Sequence, residues 1–331
     1  MDRFLKLLIY PLLDALAPRV IVEVGADLGA VTGPLLTWAQ ANGAVLHAID
    51  PDPALSVERL LSEHGERLRF HRAGSLEVLG EIADADLALI DGDHNWYTVI
   101  NELRALERRA REDGRDPPVI LVHEIGWPHG RRDAYHDPEA IPEAHRQPHA
   151  RQGVVPGQSE LGLGLKDHLE NALLEGTAAN GVLTALEDFI GESEGSWRSW
   201  SIPGLGGLAI LVSAATLQAN APLGDLLDSI DTPAFLRAQC EAIEQARIES
   251  ERKRAGLTRR LAETQLKQIM RSPDPREAVM LKRRVRELTE QVCELHEGLE
   301  RVDELEEQLR ALALRRTGPR VSGETAAESE A

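Results

Sequence analysis

The chain has 331 residues, of which 42% are hydrophobic and 28% charged, enough apolar material for one large domain with an appendage. Its formal net charge of -18 argues against a general nucleic-acid binder, because phosphate backbones attract basic surfaces. Two cysteines, Cys240 and Cys293, argue against a disulfide framework and predict a reducing compartment, the cytoplasm. No apolar run reaches the length of a membrane span.

The first nineteen residues are predicted to form an amphipathic helix that covers a sheet. Their apolar content also resembles a signal peptide. The acids Asp2 and Asp14, the early Pro11 and the immediate join to a strand favour the covering helix.

A glycine turn near the start of the chain predicts a small-molecule crevice. Residues 20–24 are an apolar run rich in β-branched side chains, and a helical pattern follows Gly29, so we expect strand, loop and helix. Glycine lets the backbone approach a ligand, and the helix start offers unpaired N–H groups. The dinucleotide fingerprint would need glycine at Asp27, which disfavours NAD or FAD. An ordinary turn with glycine for packing is the alternative.

Strand and helix patterns alternate along the domain. The predicted strands are residues 20–24, 45–49, 68–71, 87–90 and 119–122, followed by a hairpin of 197–202 and 208–212. Helical patterns lie between most of the strands, such as 54–64 and 97–111. Such alternation predicts an α/β, doubly wound, Rossmann-like and mostly parallel seven-stranded sheet that ends in an antiparallel hairpin. The predicted domain spans residues 20–215.

Residues 126–164 are predicted to be a proline-rich insertion that acts as a lid or substrate loop. Helical patterns follow it at 166–174 and 182–190. Within the insertion, two arginines are candidates for clamping an acidic group of a substrate, and two aromatic residues for stacking on a sugar. These residues are Arg131, Arg132, Trp127 and Tyr135. Because acids balance the arginines, a purely structural, salt-bridged lid is the alternative.

The last third of the chain is predicted to be a helical coiled-coil extension over residues 233–316. Apolar residues recur there in alternating steps of four and three, at Leu281, Val285, Leu288, Val292, Leu295, Leu299 and Val302. This pattern predicts a homo-oligomer, with an intrachain helical hairpin as the alternative. Residues 317–331 are small, polar and acidic, and they are predicted to be disordered.

Polar side chains follow several predicted strands. Asp50 closes the second strand and can accept both hydroxyls of a ribose, whereas Asp52 suits a helix N-cap. Further along the chain, two more strands end in acids and histidines, namely Asp91, Asp93, His94, His123 and Glu124. Neighbouring strand ends in a parallel sheet lie about 5 Å apart, so these groups should converge to bind a divalent cation or perform acid–base chemistry. A capping turn with solvated charges is the alternative.

Two motifs carry a resemblance to a known family. Glu23-x-Gly25-x-x-x-Gly29 resembles the first motif of class I S-adenosylmethionine-dependent methyltransferases, whose sheet also ends in a hairpin. Asp91-Gly92-Asp93-His94 followed by an aromatic residue is similar to a family associated with sugar, polysaccharide and macrolide O-methylation, and more distantly to metal-dependent catechol and caffeoyl-CoA O-methyltransferases.

The resemblance implies an enzyme that methylates a hydroxyl of a sugar, glycan or related small molecule with S-adenosylmethionine. The implied cofactor-binding residues are Glu23, Gly25, Gly29, Asp50, Ser75 and Asp91, with Ser75 beside the adenine or, alternatively, at an N-cap. His94 would be the catalytic base, with Asp93 beside it. Asp91, His123 and Glu124 would hold Mg²⁺ or Mn²⁺, although histidine is a poor magnesium ligand. A nucleotide-cofactor oxidoreductase and a non-catalytic scaffold on a coiled coil are the alternatives.

Overall fold

The computed structural model describes residues 1–271, and its centre is a seven-stranded sheet with helices on both faces. Strands β1–β12 span Val20–Val24, Val45–Ile49, Leu68–His71, Leu87–Ile90, Val119–His123, Ala134–Tyr135, His149–Ala150, Gly153–Val154, Leu161–Gly162, Glu170–Ala172, Trp197–Ile202 and Leu208–Ser213. Helices α1–α9 span Tyr10–Leu16, Thr32–Asn42, Val57–His64, Ser75–Val78, Trp96–Glu112, Val182–Glu192, Ala214–Ala219, Ala221–Asp228 and Pro233–Arg271.

The order of strands in the main sheet is β11-β12-β5-β4-β1-β2-β3, with β1 to β5 parallel. The prediction of a mostly parallel, Rossmann-like sheet is confirmed. β12 runs antiparallel to both β5 and β11. Val24 at the end of β1 pairs with Ile49 of β2 and Ile90 of β4, so three strands end at the same level. The residues that follow these strands therefore share one edge of the sheet.

Two apolar layers cover the sheet. One contains the N-terminal segment, whose Phe4, Leu8 and Leu12 are fully buried, together with residues of α2 and α8. This segment is a short 3₁₀ turn, a π-helical turn over Leu5–Ile9 and then α1, rather than one regular helix. The other layer is built mainly from α5 and α6. The alternating in-and-out pattern is missing from β4 because helices bury both of its faces.

The insertion after β5 has small sheets of its own. β10 pairs antiparallel with β6 and β7, and β8 pairs with β9. The predicted helix over 166–174 is wrong, because β10 lies there and Asn171 Nδ2 donates to the carbonyls of Gln152 and Lys166. The apolar residues of 166–174 have a helix-like spacing, but strand pairing determines the structure of this segment. The insertion extends to about Gly181, beyond the predicted end at 164.

The chain divides into two units, residues 1–247 and a unit that starts at Ile248. α9 spans Pro233–Arg271. The predicted heptads after residue 280 and the predicted disordered tail lie outside the described residues. In the part of the chain that is described, no helix has the length and apolar character needed to cross a membrane.

Candidate active site

The end of β1 is closely packed between the ends of β2 and β4. The Gly25 amide donates to the Ile49 carbonyl (2.9 Å), and the Asp91 amide donates to the Val24 carbonyl (3.0 Å). A Cβ atom at Gly25 would lie 2.3 Å from the Asp91 carbonyl oxygen, and the φ of Gly25 is +88°. Only glycine fits here. The close packing of the two strand ends therefore requires glycine at position 25.

Asp50 links the glycine turn to the segment that follows β2. Its two carboxylate oxygens accept hydrogen bonds from the amides of Asp27 (2.8 Å) and Asp52 (2.9 Å). Each oxygen can accept a second hydrogen bond, so both remain suited to the hydroxyls of a ribose. The alternative N-cap role of Asp52 is wrong, because α3 begins at Val57 with Ser56 at its N-cap position.

Glu23 is a buried carboxyl group beside this edge. Burial, with a smaller contribution from the negative charges of Asp91 and Asp50, raises its pKa to about 8, and a hydrogen bond with Thr32 opposes this rise. Its Oε2 has no hydrogen-bond partner. A buried carboxyl with an unused oxygen, flanked by two carboxylates, suits a positively charged ligand. The residues therefore fit S-adenosylmethionine, which carries an ammonium group and a sulfonium group.

Asp91 and His123 form a tight pair across β4 and β5. Burial opposes ionisation of Asp91, but the hydrogen bond and charge of His123, helped by the amino group of Met1, hold its pKa below the ordinary value. His123 Nδ1 lies 2.8 Å from Asp91 Oδ1, and His123 Nε2 lies 2.9 Å from the Leu205 carbonyl oxygen. The Met1 amino group lies 2.7 Å from Asp91 Oδ2.

The residues predicted to hold a metal are engaged with other protein groups. Both ring nitrogens of His123 face oxygen atoms, those of the Asp91 carboxylate and the Leu205 carbonyl. Glu124 Oε1 instead lies 3.5 Å from Lys166 Nζ. Among residues 1–271, no group of three His, Cys, Asp or Glu residues is arranged to hold a metal ion. The residues at this edge do not fit a divalent cation.

His94 is buried among other rings. Its ring stacks on His129, with centroids 5.5 Å apart and planes at 13°, and lies 6.4 Å from the ring of His136. Burial, followed by the influence of His129, holds the pKa of His94 well below 6.5, with Lys166 and His123 adding to the effect and Asp91 opposing it. The ring is therefore neutral at neutral pH, which is the state a general base needs.

Asp93 has a different role from its neighbour. Its Oδ2 accepts hydrogen bonds from Asn95 Nδ2 (3.0 Å) and Thr98 Oγ1 (3.3 Å), and Asn95 Oδ1 accepts one from the Thr98 amide. Burial raises the pKa of Asp93, and His136 and these hydrogen bonds oppose that rise. Asn95 therefore caps the start of α5 and Asp93 supports it, which agrees with the alternative prediction of a capping turn after β4. A catalytic role for Asp93 stays a prediction.

Ser75 contacts a buried acid. Its hydroxyl donates to Glu102 Oε1 at 2.5 Å, and burial raises the pKa of Glu102 to about 8. Gly74, not Ser75, occupies the N-cap position of α4, so the N-cap alternative is wrong. The hydroxyl proton of Ser75 is committed to Glu102. Only its oxygen lone pairs remain for the predicted adenine contact.

Two predicted substrate residues belong to the interior of the insertion. Arg132 is 0% exposed and donates to the carbonyls of Ala172 and Ser159 and to Glu175. Tyr135 is also 0% exposed, and its hydroxyl donates to Asp133 Oδ2 at 2.8 Å. Their predicted contacts with an acceptor are wrong, because both side chains are buried and bonded to other groups of the insertion. For Arg132 and Tyr135, the alternative prediction of a purely structural insertion agrees with the structure.

The other two predicted substrate residues lie at the surface. Arg131 makes a two-pronged ion pair with Glu187, at 2.6 and 2.7 Å, which largely neutralises its charge. Trp127 is 45% exposed and remains available to an acceptor.

The sequence interpretation missed His129 and Lys166. His129 lies in the predicted proline-rich insertion and Lys166 in a predicted helix, and neither was assigned a role. Both reach His94 or Glu124 only because the insertion folds back onto the edge of the sheet. Spacing along the chain carries no signal for such contacts.

Residues 22–125 match the family model described as a methyltransferase domain, a little under a third of the chain. No curated protein matches. Similar solved structures include the SAH-bound methyltransferase PaMTH1 of Podospora anserina, which is 15% identical in sequence. The alignment covers 62% of this chain and 76% of PaMTH1, with a TM-score of 0.40. Another is a Burkholderia thailandensis 1,6-didemethyltoxoflavin-N1-methyltransferase, with 17% identity, coverage of 61% and 77%, and a TM-score of 0.34.

A third is human methyltransferase-like protein 13 in complex with SAH, with 16% identity, 69% of this chain and 90% of the other covered, and a TM-score of 0.32. At these TM-scores the fold of the chain rests on its own strand order and register. The alternative of an oxidoreductase is not favoured by the family match. Over residues 22–125, the match confirms the prediction of a methyltransferase domain.

Proposed function

We propose that this enzyme transfers the methyl group of S-adenosylmethionine to a hydroxyl of a sugar, glycan or related small molecule. The observation that carries the proposal is the buried ring of His94, which is neutral at neutral pH. This ring follows Asp91 by three residues and lies beside the acidic edge, which consists of Glu23, Asp50 and Asp91. An acidic edge attracts a cationic donor, and a hydroxyl acceptor needs a base.

The residues divide into two groups by the chemistry they serve. Glu23 and Asp50 bind the donor, through its positive charge and its ribose, while Gly25 and Gly29 let it approach the backbone. When bound, the donor supplies a methyl group on a positively charged sulfur. The acceptor oxygen forms the new bond to this carbon, the carbon–sulfur bond breaks with its electron pair remaining on sulfur, and the hydroxyl proton passes to His94. Proximity supplies much of the remaining acceleration.

The acceptor class follows from the resemblance of the Asp91–Gly92–Asp93–His94 motif and is supported by Trp127, whose exposed indole is suited to stacking on a sugar ring. We further propose that the enzyme works in a reducing compartment such as the cytoplasm, in line with its two cysteines. The proposed reaction uses no metal, because no group of three His, Cys, Asp or Glu residues within residues 1–271 is arranged to hold one.

The test is methyl transfer from labelled S-adenosylmethionine to a panel of nucleotide sugars and lipid-linked glycans. With an accepted substrate, His94→Gln should lower kcat by roughly 100-fold or more, because a general base contributes about that much. The matched control is His168→Gln, which changes an exposed histidine in the insertion. Full turnover by His94→Gln would remove the base assignment, and loss of turnover on treatment with a chelator would contradict the metal-free reaction.

A further inference from the structure

His129 is a buried side chain with few polar contacts. It is 0% exposed, and neither ring nitrogen makes a hydrogen bond of good geometry, although the Arg132 backbone lies close enough to the ring to favour its protonated form. Leaving a buried polar group unpaired is unfavourable, so a phenylalanine of similar shape would fill this position at lower cost. A buried imidazole with so few polar contacts therefore calls for an explanation outside folding.

The backbone around His129 is closely fitted. The Val182 amide donates to the His129 carbonyl at 2.9 Å, and the Gly130 amide donates to the Gly126 carbonyl at 2.6 Å. A Cβ atom at Gly130 would lie 2.2 Å from the Ile125 carbonyl oxygen, and one at Gly181 would lie 2.5 Å from the Gly130 carbonyl oxygen. This packing allows little movement of the loop, so the ring of His129 has a defined position.

The ring of His129 covers one face of the His94 ring. The two rings are nearly parallel, at 13°, with centroids 5.5 Å apart. The titratable groups near His94 are His129, His136, His123, Asp91 and Lys166. Burial and the Lys166 ammonium lower the pKa of His129 to about 3, so it stays neutral next to His94. A neutral ring in contact excludes water without adding charge.

We propose that His129 is a positioning residue for methyl transfer, because its ring fixes the plane of the His94 ring and keeps water from that face, so that His94 remains an uncharged base. This inference rests on the proposed role of His94. The neutral imidazole of His129 suits the task better than a phenyl ring would, since phenyl is one of the rings whose face attracts and stabilises a stacked cation.

Two substitutions distinguish the effect of a stacked ring at position 129 from the effect of its imidazole chemistry. His129→Phe keeps a stacked ring, and His129→Ala removes it and admits water. NMR titration of the His94 ring should show a higher pKa in both variants than in the wild type, with the value in His129→Ala moving towards the ordinary value of about 6.5. His168→Ala, which changes an exposed histidine of the insertion, should leave the titration of His94 unchanged.

Kinetics adds a second readout. The acid limb of the kcat profile should move to higher pH in both variants, while the plateau should fall roughly 10- to 100-fold only in His129→Ala, because only there is the His94 ring free to turn. A purely structural His129 would lower thermal stability and leave the acid limb in place. An unchanged titration of His94 in a folded His129→Phe or His129→Ala protein would overturn the inference.

These outcomes are distinguishable from failure of the proposed function. If the wild type transfers no methyl group to any acceptor, the titration of His94 still decides whether His129 controls its charge. If His94→Gln is fully active, the proposed base is wrong, and a role for His129 in catalysis falls with it.

Discussion

At the scale of single residues, Glu23 links ionisation to donor binding. Because burial raises its pKa to about 8, it is mostly protonated at neutral pH before a ligand binds. A cationic donor favours the carboxylate, so binding should release a proton, and the affinity should rise between about pH 6 and about pH 8. Calorimetry in buffers of different ionisation enthalpy measures this release.

The matched variant is Glu23→Gln, whose amide cannot ionise. In this variant the affinity for S-adenosylmethionine should be weaker and should lose its dependence on pH over the same interval. If the wild type binds without proton uptake or release, and with equal affinity across this range, the assignment of Glu23 to the donor's positive charge is wrong.

At the scale of secondary-structure elements, the junction of β1 and β4 depends on Gly25. Gly25→Ala would place a Cβ atom 2.3 Å from the Asp91 carbonyl oxygen at a φ of +88°. We expect a loss of about 1–3 kcal/mol in the free energy of unfolding, because backbone strain and overpacking combine. Donor binding should be lost as well, since the strand ends must separate. Chemical denaturation and calorimetry measure both effects.

Gly33 provides the control. It lies in α2 with no atom within 4 Å of an added Cβ, and its φ is not in the left-handed region. Gly33→Ala should be neutral or raise the free energy of unfolding by up to about 1 kcal/mol. Equal behaviour of the two variants would contradict the account of the junction.

A buried carboxylate, that of Asp133, links the insertion to the start of α5. Asp133 accepts hydrogen bonds from the Trp96 amide (2.7 Å), the Gly181 amide (2.6 Å) and the Tyr135 hydroxyl (2.8 Å). Asp133→Ala leaves these donors without that acceptor, at about 1–3 kcal/mol each, so we expect a large drop in stability and faster proteolysis within the insertion. Limited proteolysis and urea unfolding provide the measurement.

Asp137→Ala is the comparison, because this exposed aspartate accepts one hydrogen bond, from the Glu139 amide, at the start of a 3₁₀ turn. Its loss should cost no more than about 1 kcal/mol. A rate of cleavage in Asp133→Ala equal to that in Asp137→Ala would show that the carboxylate does not anchor the insertion.

At the scale of the whole molecule, the parallel strands were predictable because each is a short apolar run followed by a turn. All five have the predicted starts, and only β5 is one residue longer than predicted. The presence of Asp50 and Asp91 at one edge of the sheet was predictable for the same reason, since each of them directly follows a strand. The insertion was not predictable, because its short strands pair mainly with one another and Arg132 donates to a carbonyl forty positions away. His129 and Lys166 were missed because their contacts depend on that local fold.

The oligomeric state remains a sequence-based prediction. The heptad residues between Leu281 and Val302 predict that the full chain is a dimer, because an exposed apolar stripe must be covered. Light scattering of the full chain should give the mass of two chains, and Leu288→Glu with Leu295→Glu should give the mass of one. A full chain that is already monomeric would support the intrachain hairpin instead.

The central claim, that a cationic nucleoside donor binds where β1, β2 and β4 end, is tested most directly by calorimetry on the full chain with S-adenosylmethionine, S-adenosylhomocysteine and NAD. The account predicts one site per chain for the first two ligands, no binding of NAD, and a loss of affinity of roughly tenfold or more in Asp50→Ala but not in Asp52→Ala. Absence of binding to the wild type, or equal affinity in Asp50→Ala, would contradict it.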